Sequence, residues 1–119
     1  RLAMLNEYIK PFLLEEGAEA VRTVRDDAWS NISSLTENTN YYPAFSGLVW
    51  TLSSTPNTVG IFTRTIRVAS VNRDGTTQDI SAVGTDDPKT KLITVTVSWV
   101  EGGTTITKTL PFYIMDIFS

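Results

Sequence analysis

The sequence predicts an α+β fold, a long N-terminal α-helix packed on a roughly four-stranded antiparallel β-sheet. Three observations carry this. Small and apolar residues recur at a helical period through the first third of the chain. Threonine-rich alternating segments fill the rest, with 12 of the 18 threonines falling after residue 60. Finally, Gly102-Gly103 sits between two of those segments, where a tight hairpin needs residues that accept positive φ. At 119 residues the chain is one domain. It divides into a helix over 1–35, a connecting loop over 36–47 and a sheet over 48–119.

The helix is read from Leu13, Gly17, Ala20, Val21, Val24, Ala28 and Ile32, which form one stripe, with Glu15, Glu19, Arg22, Arg25 and Asp26 opposite. Gly17 and two alanines in the stripe let a sheet approach the helix axis closely. Ahead of it Leu2, Leu5, Ile9 and Phe12 continue the period. Pro11 either kinks this helix or begins a new one, and the unbroken period favours the kink. Running from near residue 2 to Leu35, such a helix would be about 50 Å long. That exceeds what one small core can cover, so its first turns should project or meet another molecule.

Residues 36–47 are polar and asparagine-rich and contain Pro43 and Gly47, which reads as loop. Tyr41, Tyr42 and Phe45 are expected to pin it over the helix–sheet seam. Gly47 to Leu52 reads as a short strand. Ile61 to Val71 reads as a long one, with Phe62, Ile66 and Val68 on one face and Thr63, Thr65 and Arg67 on the other. Arg64 breaks that alternation and suggests a bulge or an edge position. Asn72-Arg73-Asp74-Gly75 is a turn signal, and a polar stretch follows to about Lys91. The last hairpin is the clearest element. Ile93, Val95, Val97 and Trp99 alternate with Thr94, Thr96 and Ser98. Counting outward from Gly102-Gly103 pairs Trp99 with Ile106, Val97 with Lys108, Val95 with Leu110, and Ile93 with Phe112. Lys108 is the one mismatch on the core face, and its stem can snorkel to the margin. The helix–sheet core is thus expected from Leu13, Gly17, Val21, Val24, Ala28, Ile32, Ile93, Val95, Val97, Trp99 and Leu110.

Composition excludes much chemistry. With no Cys and no His there is no disulfide, no thiolate catalysis and no Ser-His-Asp arrangement. No nucleophile–base pair can be named, and no enzyme activity is expected. Glu15-Glu16 and Asp26-Asp27 are adjacent pairs that point about 100° apart on a helix and do not share a site. Residues 1–60 hold four basic and seven acidic groups, residues 61–119 six of each. Arg64, Arg67, Arg73, Lys89, Lys91 and Lys108 form no stripe, which argues against a nucleic-acid partner. Asn31-Ile32-Ser33 fits a glycosylation acceptor, a match expected by chance. The chain contains no apolar run long enough to span a membrane.

The segment Leu14-Glu15-Glu16-Gly17-Ala18-Glu19-Ala20-Val21-Arg22-Thr23-Val24-Arg25-Asp26 resembles the stretch following the membrane anchor in type IV pilins and type II secretion pseudopilins, the prepilin-type N-terminal methylation family. Phe62-Thr63-Arg64-Thr65-Ile66-Arg67-Val68 and Lys91-Leu92-Ile93-Thr94-Val95-Thr96-Val97-Ser98-Trp99 resemble later blocks of the same group. The family's basic leader, peptidase site and apolar anchor have no counterpart here, so the resemblance implies the soluble part of such a protein. It implies a pilin-like fold and a structural role, that of a minor pilin or pseudopilin in a type IV pilus-like filament or type II secretion-like system. The helix would supply the filament core, with Leu2, Leu5, Ile9 and Phe12 as the assembly face. The partners implied are other subunits, at the bacterial cell surface, after anchorage in the inner membrane. No small-molecule substrate and no cofactor are implied, with calcium the one candidate ion. Asp74, Asp79, Asp86 and Asp87 share one polar connection, as flexible calcium loops do, although their spacing fits no known loop pattern. The competing expectation is an extracellular β-rich binding or adhesion module, for which about four strands are few and the N-terminal helix is unexplained.

Overall fold

The computed structural model describes residues 2–117, with side chains from Pro11 onward. Its elements are α1 (Leu2–Asp27), α2 (Ser30–Ser33), β1 (Tyr42–Ser46), β2 (Val49–Ser53), β3 (Thr58–Val59), β4 (Phe62–Arg73), β5 (Ile80–Ser81), β6 (Thr85–Glu101) and β7 (Thr104–Met115). The strands form two antiparallel sheets, a pair β1-β2 and a five-stranded sheet in the order β3-β4-β6-β7, with β5 also on β4.

This corrects the expected α+β architecture of a long N-terminal helix on one sheet. Over residues 11–117 the molecule is mostly β, with 52% of residues in strands or bridges and 20% in helix, the longer helix there being a short one over 11–27. Two local causes explain the difference. The helix does not reach Leu35, because Asn31 turns its side-chain amide back onto the Val24 carbonyl at 3.2 Å and onto Asp27 at 3.1 Å. That satisfies a last-turn carbonyl and lets the chain turn. Trp29 then ties the turn to β6 through its indole N–H on the Pro88 carbonyl, 3.3 Å. The second cause lies in the expected 36–47 loop, whose end is strand β1. Gly47 and Leu48 both take positive φ, +59° and +65°, making the primed turn that a two-residue hairpin requires.

Within the large sheet the period-2 reading holds. β6 alternates buried and half-buried residues from Lys91 to Trp99. The expected pairs Trp99–Ile106, Val97–Lys108, Val95–Leu110 and Ile93–Phe112 are all in register. Lys108 is exposed. Arg64 is neither at a bulge nor at an edge; it pairs in unbroken register with Val97. The irregularity falls instead between Ser70 and Asn72, where β6 takes the longer path from Lys91 to Asp86. Consequently Asp86-Asp87-Pro88 belongs to a strand and not to a loop.

α1 lies across the inner face of this sheet. Val21, Ile32, Ile66, Ile93 and Val95 are fully enclosed in one cluster, and Leu13, Phe62, Val97 and Trp99 form a second. Phe62 meets Trp99 edge-on, with centroids 5.4 Å apart. Gly17 is buried as expected, whereas Ala28 and Leu110 sit half-buried at the margin. The outer edge of β4 is covered along its length, by β3, by the Tyr41–Ile66 bridge, by the Asn38 N–H on the Val68 carbonyl, and by β5. β7 pairs only with β6 among the described residues, and Lys108 and Pro111 stand along it.

Candidate functional site

The residue that breaks the inward pattern of β4 is the one around which a site forms. Arg64 points to the core face between Phe62 and Ile66 and is only 3% exposed. Gly17 makes room for it: a Cβ there would stand 3.3 Å from Arg64 Cδ. The guanidinium reaches α1, where Nη1 donates to the Leu13 carbonyl at 3.1 Å and to Glu16 Oε1 at 2.8 Å. Trp50 of β2 lies over it, its ring centroid 5.8 Å from Cζ, and Phe45 of β1 meets Trp50 at 5.1 Å. Arg64 Nε is buried with no acceptor, the one such side-chain atom among the described residues.

These groups line an open cleft of about 580 Å³, bounded by α1, the β1-β2 hairpin and the turn into β4. Phe45 forms an exposed wall, and Asn57 donates to the Pro43 carbonyl at 3.3 Å on its rim. A second cleft of about 530 Å³ runs along the other side of the hairpin, between β2 and the ends of α1 and α2. Its lining holds no buried ionised group.

The four aspartates expected as a calcium loop are engaged separately. Asp74 Oδ1 accepts the backbone N–H groups of Thr76 and Thr77 at 2.8 and 2.9 Å. The Thr77 and then the Thr76 bond hold its carboxyl below the usual range. Asp87 is pulled down to about 2, first by the Arg73 side chain, then by the Lys89 N–H and the Thr90 hydroxyl. Its Oδ2 receives Arg73 Nε at 2.7 Å and Thr90 Oγ1 at 2.8 Å. Asp79 and Asp86 are exposed, and no group of three or more acidic residues placed to hold an ion occurs among the described residues. Arg73 also reaches the Gln78 carbonyl at 2.9 Å, so this network closes the turn where the β4–β6 register shifts.

The assembly face is described only in part. Leu2, Leu5 and Ile9 lie outside the residues whose side chains are described, and Phe12 is 62% exposed. The cations expected to be scattered on the sheet have individual partners: Lys91 pairs with Glu37 at 3.1 Å and Arg67 with Asn40 at 2.7 Å. Asn31, in the glycosylation pattern, has its amide engaged on Val24 and Asp27. Sequence reasoning missed the Arg64 cleft, although the signal was present: an arginine at an inward position of an otherwise apolar face. No family model matches the chain, and neither a curated protein nor a solved structure does.

Proposed function

We propose that the chain is a non-catalytic structural subunit of a type IV pilus-like or type II secretion-like filament, assembling through its N-terminal helix. The observation that supports it most is how α1 meets the rest of the molecule. Phe12 of α1 is 62% exposed, one residue before Leu13 enters the core. An aromatic side chain left exposed beside the start of the buried stripe offers a contact to a neighbour. The sequence stripe Leu2, Leu5, Ile9 and Phe12 supplies the apolar surface for one. The resemblance of residues 14–26 to pilin sequences supports the same reading. The partners are then further subunits at a bacterial cell surface, reached after inner-membrane anchorage.

Site-specific photo-cross-linking in cells tests this. A photoreactive residue at position 12 should give a ladder of subunit multiples in the surface fraction. The same residue at position 65, on the outer sheet face, should give none. Monomer alone at position 12 overturns the reading, as does a coding region that lacks a leader and apolar anchor ahead of Arg1.

A further inference from the structure

We propose that the cleft over Arg64 binds a neutral acetamido sugar, an N-acetylated hexosamine unit of a glycan. Four observations converge on that chemistry. First, Arg64 Nη1 carries both protein bonds, to Leu13 and Glu16, while Nε has no acceptor and Nη2 donates to none of the described residues. Nε and Nη2 share one edge of the planar guanidinium, so a fork of donors is left over. Second, Glu16 at 2.8 Å already neutralises the arginine. A ligand carboxylate would set two like charges around one cation, whereas an amide carbonyl brings acceptor lone pairs without a charge. Third, half-exposed Phe45, backed by Trp50, faces the same cleft as the Asn57 side chain. An apolar wall beside an amide suits a ring whose faces are apolar and whose rim is polar. Fourth, about 580 Å³ lies within the usual range for small-ligand sites.

Binding at the enclosed Nε requires the β1-β2 hairpin to shift from over the guanidinium. β1 and β2 form their own sheet and share no ladder with the large one, so a shift hinged beyond the Tyr41–Ile66 bridge breaks no strand pairing of the five-stranded sheet. The buried guanidinium is held from below by the helix carbonyl and Glu16, which fixes the fork without closing it. This inference does not depend on filament assembly, and either can fail alone.

Titration calorimetry and tryptophan emission with the N-acetylglucosamine trimer test it, with the glucosamine trimer, glucuronate and an N-acetylated dipeptide amide as comparison probes. The acetylated trimer should bind saturably, and the deacetylated trimer and glucuronate at least about tenfold more weakly. Phe45→Ala, at a half-exposed position, should weaken binding by about tenfold or more while lowering the melting temperature by only a few degrees. Arg64→Met, which keeps the apolar stem, should abolish it. Tighter binding of glucuronate, equal binding of the dipeptide, indifference to Phe45→Ala, or no heat with the acetylated trimer at millimolar concentration would each overturn the proposal.

Discussion

Gly17 of α1 approaches Val95 of β6 so closely that a Cβ on the glycine would stand 2.8 Å from Val95 Cγ1. Ile66 Cδ1 and Arg64 Cδ close the same space at 3.6 and 3.3 Å. One absent side chain therefore sets how near the helix comes to the sheet, and with it how far Arg64 reaches across to Leu13 and Glu16.

Two effects compete in Gly17→Ala. Alanine favours a helix interior by about 1 kcal/mol, while forcing a methyl into a filled core costs about 1–3 kcal/mol. The contact at 2.8 Å is to a β-branched side chain packed in the sheet, which cannot rotate away. Overpacking should win, and urea unfolding should show a net loss of up to about 2 kcal/mol with an unchanged slope. A variant as stable as the parent would mean that helix and sheet separate freely.

The opposite sign is expected at the β1-β2 turn. Leu48 is 88% exposed and held at φ +65°, a conformation that costs an L-residue with a bulky side chain about 1–2 kcal/mol. Leu48→Gly removes that strain and loses no core contact, although glycine returns part of the gain as unfolded-state entropy. A net stabilisation of about 0.5–1 kcal/mol should appear as a higher melting temperature. A lower one would show that Leu48 packs against something.

Acid should weaken the molecule partly through Asp87. Its carboxyl is held near 2 in the folded state against an ordinary value of 3.8, so the folded form keeps the charge that the unfolded chain gives up earlier. The contribution is complete above about pH 4 and fades as pH falls through about 2. For a group this close to solvent it amounts to at most about 2 kcal/mol. Asp87→Asn should lower stability at neutral pH and flatten the decline between pH 4 and 2. An unchanged pH profile would remove Asp87 from the account.

Among the described residues β7 pairs only with β6, and Pro111 has no N–H to offer an incoming strand. Pro111→Thr restores that donor on a strand already rich in β-formers. Light scattering of the variant should show concentration-dependent association while the parent stays unchanged. Equal behaviour of the two would assign the protection to Lys108 alone.

Much of the β6-β7 pairing was readable from residues alone. Strand alternation has a period of two, and Gly102-Gly103 fixes the register by a purely local requirement, so Trp99–Ile106 through Ile93–Phe112 follow by counting. The inward stripe of the helix from Leu13 to Val24 was equally legible. Where sequence reasoning stopped short, the deciding partner is distant or was masked by composition. Tyr42–Ser46 looked like loop because Pro43 and its asparagine-rich approach outweighed a strand whose partner begins only beyond Gly47-Leu48. The helix end depended on Asn31 folding back onto Val24 and on Trp29 reaching Pro88. Arg64 reads as a bulge or an edge position because a charge on a core face is expensive by itself. Leu13 and Glu16, 51 and 48 residues away, make it tolerable. The sequence by itself determined the periods, the turns and the absence of Cys and His chemistry, all of which are local or compositional. Only the tertiary structure decided that a helix carbonyl, a carboxylate and a hairpin tryptophan would meet around one buried guanidinium, because contacts across that separation leave no periodic trace in the chain.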